Sequence, residues 1–386
     1  PHEPDRGHRL WVCRPPGTSL MALLEVEDLH VHFHTEDGIV RAVDGVSYTV
    51  DKGQAFGIVG ESGSGKSVSS LAVMGLARFS SNAHVTGRVT FNGMDLLSAT
   101  DDEMRQLRGS EMALIFQDPL SSLHPFYRIG DQLVEAITAH RDVPKAVAKN
   151  RAAEMLELVG IPEPRKRMEG YPHEFSGGMR QRVMIAMALI NDPKLIIADE
   201  PTTALDVTVQ AQILDLLTRL QKEFDAAVIM ITHDLGVVAQ ITEQIAVMYA
   251  GRIVEHATTD ELFARPEHPY TWGLLGSIPR LDQPSDQELV PIPGRPPSLI
   301  NRPAGCSFHP RCFYAQGECA SLDPGLNEAR PNSLHEVACL LPTSVRAQVR
   351  SRLDVGDVPD DIVATVDLTV DPSLGQRPEP QAEEVV

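Results

Sequence analysis

Apolar positions along the chain follow two rhythms. From residue 21 the segment MALLEVEDLHVHF alternates apolar and polar side chains, the period of a half-buried strand. Residues 54–59, 194–198 and 227–231 are short, nearly continuous apolar runs, which predict strands buried on both faces. Residues 145–159 and 208–224 instead repeat apolar residues every three or four positions, the spacing of helices. The first of these should stop at Gly160, with Pro162 just beyond. Strands interleaved with helices up to about residue 249 predict a mixed α/β domain with parallel strands in its middle. The longest apolar run, residues 183–190, falls short of the ~20 residues needed to cross a bilayer, so no span is expected. A partner could still hold the chain at a membrane.

The flanks read differently. Residues 1–20 are rich in Pro, Gly and charge and lack the apolar centre of a secretory signal, so an unstructured extension is expected, with Met21 a candidate natural start. After about residue 251 the sequence turns Pro-rich and irregular and contains four of the five cysteines. From Leu353 on, nine acidic residues against one Arg predict a disordered acidic tail. No internal repeat is evident.

The 386 residues suffice for two or three folding units, and 42% hydrophobic with 23% charged residues is a globular composition. The net charge of −19 argues against broad contact with nucleic acid or anionic lipid, both of which need a surplus of Lys and Arg. Aromatics at 5% also give little base-stacking surface.

One segment between the strand QAFGIV and a Ser/Leu/Val/Met-rich helix carries clear chemistry. Gly60-Glu61-Ser62-Gly63-Ser64-Gly65-Lys66-Ser67 fits GxxxxGKS, in which glycines let successive backbone N–H groups face phosphate oxygens at a helix's positive end. Lys66 would neutralise the outer phosphates of a bound nucleotide and the Ser67 hydroxyl would ligate Mg2+, a pattern that alone allows kinases, GTPases and motors. Downstream, LIIADE is an apolar strand ending in two carboxylates. Asp199 suits magnesium, directly or through water, and Glu200 suits polarising a water for attack on the γ-phosphate. Alone, two such acids can also be a solvated turn, the lesser alternative.

With Phe175-Ser176-Gly177-Gly178-Met179-Arg180-Gln181-Arg182 the chain resembles the ABC-transporter ATPases, whose signature loop likewise precedes the strand with the two acids. The resemblance extends to Gln117 in IFQDP, to Ala204-Leu205-Asp206 and to His233 in ITHD, with Met179 in place of the more general Gln. It implies a P-loop α/β nucleotide-binding domain over 21–265 with a helical subdomain at about 118–190, a C-terminal region over 266–345 and the tail over 346–386. It also implies a head-to-tail dimer. In that dimer Ser176, Gly177, Gly178, Met179 and Gln181 would grip ATP held by a partner subunit's loop, and Asp206 would bridge the seam. Gln117 would bind magnesium or the attacking water and sense the membrane subunits, and His233 would bond the γ-phosphate. Phe33 is a candidate adenine platform, or equally a core residue of its strand.

Further segments narrow the resemblance. GRVTFNGMDLLSATDDEMRQLRG, IFQDPLSSLHPFYRIGDQLVEAI, HPYTWGLLGSIPRL and IPGRPPSLINRPAGCSFHPRC resemble the dipeptide and oligopeptide importer branch. That branch implies ATP-driven uptake of short peptides at the cytoplasmic face of the cell membrane, peripherally attached. It implies two transmembrane permease subunits, an extracellular peptide-binding protein and a second, related ABC ATPase as a heterodimer partner. Nickel chelates, glutathione or opines are alternative cargoes. A soluble ABC ATPase of DNA or ribosomes would carry a coiled-coil insertion or a second cassette, which the sequence lacks. A non-hydrolysing subunit would lack Glu200 or His233, and a P-loop kinase leaves the Ser176 loop unexplained.

Cys306, Cys312, Cys319 and Cys339 are separated by five, six and nineteen residues. Four thiolates can saturate the irons of a cubane cluster or one tetrahedral zinc, and the lack of closely spaced pairs disfavours a zinc ribbon. Family members with this pattern bind a 4Fe-4S cluster, so the resemblance implies one here, as a structural staple for a region with little core of its own. Unligated thiols are the plain alternative. Cys13 lies in the expected extension.

Overall fold

The computed structural model describes residues 22–118, 122–203, 205–278, 291–331 and 333–375. The expected extension at 1–20 lies outside them, as does the end of the expected tail from 376.

The alternating segment becomes β1 (Leu24–Thr35), which pairs antiparallel with β2 (Gly38–Val50) and with β4 (Ala83–Phe91). Leu24, Val26, Leu29 and Val31 are buried. The change of phase between Val26 and Leu29 is made by a bulge at Asp28, whose φ is 47°. With β5 (Met94–Asp95) these strands form a four-stranded antiparallel sheet that the apolar rhythm did not forecast.

The apolar runs become β3 (Ala55–Val59), β7 (Leu195–Asp199) and β8 (Ala227–Thr232). They lie parallel in an eight-stranded sheet, with β6 (Met112–Ile115) and β9 (Gln244–Tyr249) flanking them and β10 (Arg252–Thr258), β12 (Glu336–Val337) and β11 (Asn327–Glu328) following beyond β9, in the order β11-β12-β10-β9-β3-β8-β7-β6. Every second residue serves a different core. Leu195, Ile197, Ile229 and Ile231 pack toward the antiparallel sheet, whereas Ile196, Ala198, Val228 and Met230 pack toward the helices. Burial on both faces explains why these strands read as unbroken apolar runs. The helices are Lys145–Leu158, ended by Gly160 at φ 78°, and Val207–Phe224, with Ile129–Thr138 and Gly177–Leu189 completing the helical layer.

Beyond β10 (Arg252–Thr258) the chain stays attached through β12 (Glu336–Val337), which pairs with β10, and β11 (Asn327–Glu328). Glu255 of β10, fully buried, accepts from the backbone N–H groups of Glu267 (2.6 Å) and His268 (3.0 Å) and pairs with His335 at 2.7 Å. Arg346 Nε then donates to Glu267 at 2.8 Å.

The expectation of a disordered tail is corrected over its described part, residues 346–375. Residues 353–375 are ordered, and helices run over Thr343–Asp354 and Pro359–Thr365. Val349, Ile362, Leu368 and Val370 join Trp272, Tyr314, Cys319, Leu340 and Leu341 in a small core, so the region does have apolar packing of its own. Composition misled because the acids are compatible with helix. Pro359 opens a helix whose first turn carries Asp360 and Asp361, favourable charges at a helix N-terminus. Arg352 also pairs with Asp357.

Candidate functional site

Because β3, β6, β7 and β8 run parallel, the loops after them open at one sheet edge, where ligands of such sheets bind. After β3 the chain turns through residues 60–65 into the helix Lys66–Val73. Two glycines make the turn possible. A Cβ on Gly60 (φ 156°) would lie 2.2 Å from the Met248 carbonyl oxygen, and one on Gly65 (φ 102°) 2.2 Å from that of Ala42. Gly63 has φ 79° with open space around it, while Ser64 is buried. Ser62 is exposed in the same turn.

Lys66 is only 5% exposed, and its Nζ donates to the carbonyls of Gly60 (2.7 Å) and Glu61 (3.0 Å). Ser67 Oγ donates to Asp199 Oδ1 at 3.0 Å, joining the loop to the end of β7. Burial lowers the Lys66 ammonium below its ordinary value, opposed by Glu200, Asp199 and Glu61. Burial raises the Asp199 carboxyl, opposed by the Ser67 hydrogen bond and by Lys66. A desolvated cation thus stands beside a desolvated acid and hydroxyl, a donor set suited to polyphosphate with Mg2+.

Glu200 is the hub of the edge. Gln117 Nε2 and Thr203 Oγ1 both donate to its Oε2 at 2.9 Å, and His233 Nδ1 lies 3.3 Å from Oε1. Its backbone has φ 47°, and its N–H is held by the Ile231 carbonyl at 2.8 Å. The carboxylate is thereby fixed where a water could be polarised. Gln117, Asp199, Glu200, His233, Lys66 and Ser67 are thus brought together.

The signature residues are not in that group. Ser176 caps the helix Gly177–Leu189, its Oγ accepting from Met179 N–H at 3.3 Å. Ser176 and Gly177 are exposed, so this helix tip points its free N–H groups outward. Among the described residues no hydrogen bond or ion pair joins it to the 60–67 loop. Gly178 lies against Val209, where a Cβ would come within 2.8 Å, and Asp206 caps that helix by accepting from Val209 N–H at 2.9 Å. Met179 packs on the helical core, and buried Gln181 keeps Nε2 unpartnered. Phe33 leans on the core between the sheets, paired with Val40 and Ala83.

The cysteines converge. Cys306, Cys312, Cys319 and Cys339 are free thiols lining one cavity with His309 and Tyr314. Burial pushes the Cys306 thiol up to about 12, with Cys339 and Cys319 adding to the shift, and the Cys339 thiol to about 11, with Arg346 opposing and Cys319 adding. Only a cationic centre would let all four ionise together. No three sulfurs lie within 4.8 Å of one another. Around one zinc, at Zn–S of about 2.3 Å, they would sit roughly 3.8 Å apart. Four converging thiols are a donor set that a single ion or a cubane group, one thiolate per iron, could use.

Sequence reasoning missed Thr203, Tyr270 and Arg311. The last two sit at the 60–67 loop from beyond the α/β core: the Glu61 N–H donates to Tyr270 Oη at 2.8 Å and Arg311 pairs with the Glu61 carboxylate. Both lie in segments that carry the resemblance, HPYTWGLLGSIPRL and IPGRPPSLINRPAGCSFHPRC, but nothing in those segments points to Glu61, because the contacts span 209 and 250 residues.

Known proteins resemble this arrangement. The ABC transporter family matches residues 43–203, and the C-terminal region of oligopeptide/dipeptide transporters matches 254–319. An oligopeptide transport ATP-binding protein of Bacillus subtilis is 55% identical over 76% of this chain and 82% of its own length. One from Escherichia coli is 52% identical over 83% and 94%. A dipeptide transport ATP-binding protein of B. subtilis is 51% identical over 83% and 94%. A dimeric ATP-binding cassette solved in a post-hydrolysis state with ADP and phosphate matches with TM-score 0.55 at 27% identity, covering 61% of this chain and 98% of that one.

Proposed function

The chain belongs to the ATP-binding subunits of ABC transporters, in the oligopeptide/dipeptide branch, and from that premise we propose that it powers the uptake of short peptides. It is an ATPase of the ABC type. The observation that carries the reading is the Glu200 carboxylate, held by Gln117, Thr203 and His233 at the edge that also holds Lys66 and Asp199.

In this reading the 60–67 backbone and Lys66 cradle the phosphates, and Phe33 faces the adenine. Ser67, Asp199 and Gln117 would hold Mg2+, which would supply charge neutralisation to the polyphosphate. Glu200 orients and deprotonates the attacking water, and His233 donates to the γ-phosphate as charge builds there. ATP and water become ADP and phosphate. The signature segment of Ser176, Gly177, Gly178, Met179 and Gln181, with Ser176 and Gly177 exposed at its tip, completes the site of a second ATPase subunit, and Asp206 couples the two across the seam. Closure around ATP and opening after hydrolysis drive the permeases.

The partners in this reading are two transmembrane permease subunits, a second related ABC ATPase and an extracellular peptide-binding protein, with the chain peripheral at the cytoplasmic face. Residues 21–265 form the ATPase domain, and 266–345 form the C-terminal region, which bears the 4Fe-4S cluster on Cys306, Cys312, Cys319 and Cys339. Bound, the cluster supplies a cross-link among four loop-borne thiols.

Copurification and reconstitution test the function. The chain should come with two hydrophobic permeases and, in proteoliposomes with the binding protein, drive ATP-dependent accumulation of a labelled oligopeptide. Accumulation of a nickel chelate, glutathione or an opine but no peptide would overturn the peptide assignment. Purification with no permease would overturn the importer reading.

A further inference from the structure

Glu61 of the phosphate loop is gripped at both its ends by residues far downstream. Its N–H donates to Tyr270 Oη at 2.8 Å. Its carboxylate receives a two-pronged bond from Arg311, Nη1 to Oε2 at 2.6 Å and Nη2 to Oε1 at 3.0 Å. Its carbonyl accepts from Lys66 Nζ at 3.0 Å. One residue therefore links the C-terminal region to the lysine of the ATP loop.

The clamp is rigid. Arg311 is 5% exposed, its Nε donates to the Pro293 carbonyl at 2.8 Å, and its guanidinium lies over the Tyr249 ring at 5.8 Å. Tyr249, Tyr270 and Phe308 pack ring against ring, with centroids 4.7 to 5.4 Å apart. A planar fork held this way cannot be replaced by Lys without losing one prong.

We propose that Arg311, with Tyr270, is a positioning residue for ATP binding: it fixes the backbone of the phosphate loop through Glu61 and cancels the Glu61 charge beside the triphosphate. The proposal rests on the reading of residues 60–67 as the ATP loop. An unpaired Glu61 carboxylate would repel the polyphosphate and compete for Lys66, whereas the paired one leaves the lysine and the loop N–H groups to the nucleotide. Arg311 immediately precedes Cys312, so the clamp and the cysteine cavity share one short turn, His309–Arg311.

The test is a charge-release cycle in the full chain, with fluorescent ATP binding on the chain and KM and kcat in the assembled transporter. Arg311→Gln should weaken ATP binding and raise KM by about tenfold, as expected for loss of a charge-assisted pair, with kcat changed less. Adding Glu61→Gln should recover most of that loss, because the liberated charge is gone. A merely structural staple predicts the contrary, a double variant no better than Arg311→Gln. Should Arg311→Gln fold poorly, Tyr270→Phe removes the hydroxyl but keeps the ring, and should raise Kd several-fold at unchanged Tm. An unchanged Kd in that variant overturns the clamp. Lys66→Ala separates the two failures. If it abolishes ATP binding while Arg311→Gln and Tyr270→Phe leave Kd and KM alone, only the clamp is wrong. If Lys66→Ala also leaves binding intact, the loop reading itself has failed.

Discussion

Gln117 and Glu200 share a hydrogen bond of 2.9 Å across the ends of β6 and β7. The loop that would sense the membrane subunits therefore touches the carboxylate that would activate water. A displacement of Gln117 changes the setting of Glu200 with no intermediary.

Replacing that carboxylate isolates its chemistry. Glu200→Gln keeps the shape and a hydrogen-bond acceptor but cannot take a proton, so hydrolysis should fall by about 10²- to 10⁴-fold while ATP binding persists. Phosphate release and gel filtration with ATP would show a slow enzyme trapped as a closed dimer. Turnover near the parent rate would remove Glu200 from the catalytic role.

Glu255 offers a stability test away from the ATP edge. Glu255→Ala leaves His335 and the N–H groups of Glu267 and His268 buried without their acceptor, a loss of about 3–5 kcal/mol. The melting temperature should drop and the segment after residue 266 should become open to limited proteolysis. Unchanged melting and cleavage would mean that the region is held by its apolar core alone.

The cysteine cavity makes an analytical prediction. Protein purified without oxygen should be brown and carry about four iron and four sulfide per chain, and Cys312→Ser should lose most of both. Colourless, iron-free parent protein would sink the cluster reading, and stoichiometric zinc would replace it.

The Asp44 node predicts a pH effect. Its carboxylate meets Arg252 at 2.7 Å, Arg302 at 2.6 Å and His30 at 3.2 Å, with His32 3.5 Å away. The bond to Asp44 raises His30 above its ordinary 6.5, against burial and with help from Asp28. Burial would raise Asp44, but the histidines and both arginines overcome it and hold the carboxyl far below its ordinary 3.8. The His30 contribution is thus complete below pH 6.5 and lost as pH rises through its higher native value, while the Asp44 contribution is complete above pH 3.8 and lost as pH falls below it toward the lowered native value. Melting temperatures should fall as pH rises above 6.5, and His30→Gln should flatten that slope. An equal slope in the variant would refute the assignment. His30, His32 and Asp44 lie close enough to suggest a metal site, but two guanidiniums already neutralise the carboxylate and would repel a cation.

What the sequence determined by itself is what is local. The strands at 55–59, 195–199 and 227–232 declared themselves because burial on both faces demands unbroken apolar runs. Lys66, Ser67, Asp199 and Glu200 were legible because a phosphate loop and a strand-end acid are each built from contiguous residues. Only the tertiary structure decided that Gln117 and His233 reach the same carboxylate as Thr203, and that Tyr270 and Arg311 hold the loop through Glu61. It alone folded the acidic stretch over 353–375, because Val349, Ile362, Leu368 and Val370 find Trp272 and Tyr314 to pack on. Composition records how much charge a segment carries. It does not record which distant side chains stand ready to cover the few apolar residues within it, and that coverage decides whether the segment folds.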